Sequence, residues 1–164
     1  MAIKDHYGRE LTEDSEFDVP VAWRGGAAAG FLATLATTVV IVPFDIGLFS
    51  DTIAGMYGLE GVFAAGVVAH LIHGTLFGVV FAAVLSDPSL VGITNWLWKA
   101  AAAGVVFGLV LAVVGTGFVL PAWVQFVGVT GLLPMPYVNA TLLAWHGLYG
   151  LVLGLVFPFA AAGL

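Results

Sequence analysis

The chain has 164 residues, of which 61% are hydrophobic and only 9% charged. A soluble domain carries about 25% charged residues, so the polar sequence is too scarce to cover a soluble core and the bilayer must be the solvent for most of the chain. With a formal charge of −6 and no cysteine, the sequence excludes disulfides, Fe–S clusters, thiolate metal sites and a cysteine nucleophile, and it offers no basic surface to nucleic acid.

Residues 1–20 form an acidic tail that holds Asp5, Glu10, Glu13, Asp14, Glu16 and Asp18. The tail is expected to be solvated, with at most a short helix. It does not read as a signal peptide, which opens with a basic region directly before its apolar core.

Four apolar segments follow in residues 21–164, each near the length of about 20 residues that a membrane helix needs. The first is expected at Ala22–Val42, stopped by Pro43, and the second at Gly61–Leu85, closed by Ser86–Ser89. The third is expected at Trp96–Leu120, ended by Pro121, and the fourth at Val138–Ala162. Alternation of period two is absent, which argues against a β-barrel. The connections Phe44–Glu60 and Pro121–Tyr137 are long and apolar, and are expected to lie along the membrane surface or against a partner.

Lys4, Arg9, Arg24 and Lys99 all fall on one side of a four-span arrangement. Basic residues mark the cytoplasmic side, so a multi-pass protein of the cell membrane is expected, with both termini and the Ser86–Asn95 loop in the cytoplasm. Trp23, Trp96 and Trp98 suit the aromatic belt of that interface.

The sequence also repeats. "AHLIHGTLFGVVF" (Ala69–Phe81) and "WHGLYGLVLGLVF" (Trp145–Phe157) agree at His70/His146, Gly74/Gly150, Gly78/Gly154, Val80/Val156 and Phe81/Phe157. "WRGGAAAG" (Trp23–Gly30) likewise resembles "WKAAAAGV" (Trp98–Val105). The expected fold is therefore all-α: an integral membrane four-helix bundle built from two helical hairpins, at about 21–88 and 96–164, related as parallel repeats. At 1.5 Å per residue, His70 and His146 should both lie roughly 13 Å below the outer boundary.

His70, Gly74 and Gly78 recur every four residues, as do His146, Gly150 and Gly154, and residues four apart share a helix face. Spans two and four are expected to meet through these faces. Three chemistries suit the pattern. Glycine strips let membrane helices approach closely, with the histidines as hydrogen-bonding glue; Gly26/Gly30 and Gly104/Gly108 are strips of the same kind. Alternatively, His70 and His146 supply both axial ligands of a b-type haem, with the glycines clearing room for the macrocycle, which resembles the arrangement in membrane cytochromes b. Lastly, ionisable residues inside a membrane mark proton or quinone sites, with His73 and its repeat counterpart Tyr149 as a proton or hydrogen-bond pair. No carboxylate or thiolate lies near these histidines in sequence, so no metal site is assigned.

Asp45, Asp51 and Glu60 read as exposed loop acids, and Thr34, Thr37 and Thr38 as hydroxyls bonded back to their own helix. No P-loop, GxSxG or HExxH motif is present, and no span carries an acidic or basic residue beyond its ends, so neither an enzyme nor an ion-coupled transporter is expected. The acidic tail, the Ala/Gly/Val-rich spans and the "HG" pairs at His73–Gly74 and His146–Gly147 resemble the small four-span membrane proteins of haloarchaea, most of unknown function, some similar to minor subunits associated with terminal oxidases. That resemblance implies a non-catalytic minor subunit or assembly partner of a larger, respiratory membrane complex, contacting lipid and other membrane proteins or further copies of itself. The alternatives are a small electron carrier with haem between spans two and four, and a proton-, quinone- or small-solute-handling membrane protein.

Overall fold

A computed structural model describes residues 3–4, 10–11, 19–128 and 133–163. Four helices long and apolar enough to cross a membrane form a bundle: α1 (Val19–Ile41), α2 (Phe63–Leu85), α3 (Leu97–Phe126) and α4 (Ala140–Gly163). The protein is an integral membrane helical bundle. In the tail, Ile3–Lys4 pairs antiparallel with Glu10–Leu11, and α1 begins at Val19.

Three spans lie within a few residues of their expected bounds, but α3 overruns its own. It continues through Pro121 to Phe126, and its middle, Leu111–Val119, is wound as a π-helix. Proline ends an α-helix because it lacks an N–H and crowds the carbonyl four residues back. Here Pro121 falls at the second position of the α-turns that resume after the π stretch, where that N–H is dispensable.

Each hairpin packs through its glycines. A Cβ on Gly30 would collide with Gly74 O and with the Gly78 backbone; a Cβ on Gly104 would collide with Gly150 O and with the Gly154 backbone. The two hairpins therefore use the same contacts, α1 on α2 and α3 on α4. This corrects the expected arrangement: the Gly74/Gly78 and Gly150/Gly154 strips face α1 and α3, and do not meet each other. Burying a strip of small residues lets backbones touch, and van der Waals packing then supplies the attraction that lipid does not.

Between hairpins the symmetry breaks. Helix α1 also packs directly on α4, with Gly25 against the Ala161 backbone and Ala29 and Ala33 in a core with Leu153 and Phe157. Among the described residues, α3 makes no comparable close approach to α2. Taking Gly30 and Gly104 as equivalent, α3 has Lys99 where α1 has Gly25, and Phe107 where α1 has Ala33. The Phe107 ring wedges against Phe81 at 5.3 Å between centroids, and Phe81 in turn meets Phe157 edge-on at 5.4 Å. These rings fill the half of the bundle nearer Arg24 and Lys99, termed the inner half with the opposite half termed outer, and hold α2 and α3 apart.

At the inner end Arg24 lies over Trp23 at 5.7 Å, and Lys99 over Trp96 and Trp98 at 5.4 and 5.6 Å. Such aromatic–basic pairs suit a membrane interface. The inner turn is held by Ser89, whose N–H and hydroxyl both donate to Asp87 Oδ1; these bonds keep the Asp87 carboxyl below its usual range. At the outer end the first connection folds down onto the bundle. Phe49 and Ile53, in a π-wound turn at Leu48–Ile53, are buried with Ile41, and Gly66 admits the Phe49 carbonyl.

Candidate functional site

Where α2 and α3 are held apart, the outer half of the bundle contains a cavity of about 680 Å³. Ligand sites measure about 300–1,000 Å³. Its floor is Tyr149, whose hydroxyl donates to Gly74 O at 2.7 Å and ties α4 to α2. Phe77 of α2 and Leu111, Gly115 and Val119 of α3 line the separated side, so the π-wound stretch forms a wall. The folded first connection roofs the cavity with Ile53, Met56 and Tyr57, and Trp123 Nε1 donates to Met56 O at 3.2 Å, fastening α3 to that roof. π-Helical turns within α-helices occur frequently at functional sites.

All three histidines of the spans line this space. His146 is closed on both ring nitrogens. A carbonyl can only accept, so Nδ1–H donates to Leu142 O at 3.0 Å, and Nε2 of the neutral ring accepts from the Thr116 hydroxyl at 3.1 Å. His70 is closed on one. Thr38 Oγ1 lies 2.8 Å from Thr34 O and 3.0 Å from His70 Nδ1; when its hydroxyl donates to Thr34 O, the proton at the second contact belongs to the imidazole. His70 Nε2 is then an acceptor, and no described residue bonds it. Nor is it sealed in protein: the only buried side-chain nitrogen or oxygen without a partner among the described residues is Trp145 Nε1. The Phe49 ring meets the His70 ring edge-on at 5.3 Å and fixes its plane.

His73 and Tyr149, equivalent in the repeat, do not bond each other. His73 Nε2 shares a short hydrogen bond with Tyr57 of the outer connection, at 2.5 Å, while Tyr149 bonds Gly74 O. The expected threonine bonds are present: Thr34 donates to Gly30 O and Thr37 to Ala33 O. Thr38, beyond bonding its own helix, also holds His70.

The residues present do not fit a bis-histidine haem. Gly74, Gly78, Gly150 and Gly154, which were to clear room for the macrocycle between α2 and α4, are each filled by α1 or α3. His146 has no free ring nitrogen for iron. Among the described residues no three His, Asp or Glu side chains converge on a metal position.

Sequence reading missed Tyr57, Thr116, Gly115 and Trp145 as parts of this site. One signal was available. Gly30 and Gly104 are 74 residues apart, but Thr38 and Thr116 are 78 apart, as are Pro43 and Pro121. Helix α3 therefore accommodates four additional residues between its glycine strip and its proline, over the stretch that winds as π. Comparisons of the chain with family models, with curated proteins and with solved structures find no match.

Proposed function

We propose that this integral membrane protein binds an uncharged, lipid-soluble small molecule in the outer half of its bundle and acts without catalysing a reaction on it. The cavity between α2 and α3 supports this reading. Its wall combines Phe77, Leu111, Val119 and Ile53 with a few convergent polar groups on the histidines, threonines and tyrosines, the usual make-up of a small-molecule site. Asp45 is the one charged residue among the described lining, and no Lys or Arg lines it, so an anion has no counter-charge there. Access from the outer leaflet is supported by the sparse backbone contact between α2 and α3 among the described residues. Native mass spectrometry of the protein released from its own membranes tests the reading: a defined non-covalent mass of drug-like size should accompany it.

A second reading, that the protein is a minor component of a larger membrane complex, is supported at the outer ends of the spans. Phe44 and Phe126 are 78% and 83% exposed there, beside exposed Ile46 and Leu59. These residues suit a protein partner, and the two readings are compatible. Purification in mild detergent at native expression should bring down larger membrane proteins; a lone chain would contradict this component role.

A further inference from the structure

We propose that the cavity recognises its occupant through a hydroxyl group that donates a hydrogen bond to His70 Nε2, which makes the ligand class an uncharged, lipid-soluble phenol or alcohol, such as a quinol head group. The inference rests on the ligand-binding reading above and specifies its chemistry. Three observations carry it. First, Thr38 Oγ1 is within hydrogen-bond distance of both Thr34 O and His70 Nδ1, and its proton is assigned to Thr34 O, which puts the His70 proton on Nδ1 and leaves a lone pair on Nε2. Second, that nitrogen belongs to a cavity-lining residue and is neither bonded nor sealed. Third, the repeat supplies an internal comparison. The equivalent nitrogen of His146 is occupied by Thr116, so the same side chain in the same bundle is satisfied by protein at one site and left open at the other. A ligand that offers only carbonyl or ether oxygens has no proton for this acceptor. A carboxylate or phosphate would bring a negative charge toward Asp45 with no Lys or Arg in the described lining. The aromatic wall of Phe77, Tyr57, Trp123 and Trp145 suits a flat ring behind the hydroxyl.

The test uses two uncharged probes of nearly equal shape, 2-naphthol and 2-methoxynaphthalene, titrated by fluorescence into the full chain in lipid nanodiscs, with empty nanodiscs subtracted. The naphthol should bind about two- to tenfold more tightly than its methyl ether, the difference made by one hydrogen bond. His70→Ala should abolish that preference, so that the two probes bind with equal affinity, and His70→Gln, which restores an acceptor oxygen, should recover part of it. In case His70→Ala does not fold, the ring ¹⁵N resonances of the unmodified protein give an independent readout: the unprotonated Nε2 signal of His70 should shift with 2-naphthol and stay still with the ether. Equal affinity for both probes, with a silent Nε2 signal, would overturn hydroxyl recognition and leave the cavity reading standing. Failure of both probes to bind above empty nanodiscs would overturn both.

Discussion

His70 and His146 occupy equivalent places in the two hairpins and each bonds a threonine, yet among the described contacts only His146 has both ring nitrogens closed. The difference follows from the backbone. The four additional residues of α3 and its π-wound turn bring Thr116 to His146 Nε2, whereas the unbroken α-turns of α1 bring Thr38 to His70 Nδ1. A duplicated hairpin has thereby become one packed side and one open side.

Removing that closure should show in the ring chemistry. Thr116→Val should free His146 Nε2 while Nδ1–H stays bonded to Leu142 O, so that both histidines then present an acceptor. The ¹⁵N chemical shift of His146 Nε2 should move and that of His70 should not. Losing the hydroxyl of an otherwise satisfied pair costs about 1 kcal/mol, which a thermal melt should register as a small decrease.

The glycine contacts predict a sharper energetic contrast. Gly30→Leu or Gly104→Leu would force apart backbones already in contact, so each should destabilise by about 1–3 kcal/mol or more. The same side chain at Val68 or Val106, 55% and 62% exposed on the bundle surface, should be close to neutral. Unfolding in mixed micelles would separate the two classes, and equal tolerance at all four positions would contradict the packing described.

Tyr149→Phe removes the 2.7 Å bond to Gly74 O that joins the hairpins at the cavity floor. The loss should amount to about 1 kcal/mol, since the carbonyl keeps its helical environment. Tyr57→Phe, at an exposed position, should cost less in stability. A larger loss at Tyr57 would mean that the roof contributes more to stability than the Tyr149 bond at the floor.

Orientation is predicted from Lys4, Arg9, Arg24 and Lys99, which the four-span order of the sequence puts on one side, the side that basic residues mark as cytoplasmic. Cysteines introduced at Ser15 and Ser89 should resist impermeant thiol reagents in intact cells, and one at Asp51 should label. The reverse pattern would place the cavity on the cytoplasmic half.

Most of the fold was legible in the sequence because membrane spans are written as long apolar runs, and because Trp23/Trp98 and His70/His146 mark the duplication. Three features were not. Strips of glycine at every fourth position state that a helix face is close to something, but not to which helix, so Gly74 and Gly150 were paired with each other instead of with Thr34 and Gly104. A π-wound stretch leaves no compositional trace, and Pro121 read as the end of α3. Tyr57 lies 16 residues from His73 in an apolar connection whose path is set by burial of Phe49 and Ile53, and no local pattern records that path.

The central claim, that the space between α2 and α3 is a binding site, is tested most directly by plugging it. Gly115 lines the cavity, and a Cβ there would meet open space, so Gly115→Trp should fold and fill the cavity from the π-wound wall. Native mass spectrometry of the two proteins, each released from the same cells, is the measurement. The account predicts a bound small molecule on the unmodified chain and its loss from Gly115→Trp, which should still melt cooperatively as a folded protein. Equal bound mass on both proteins, or none on the unmodified one, would contradict it.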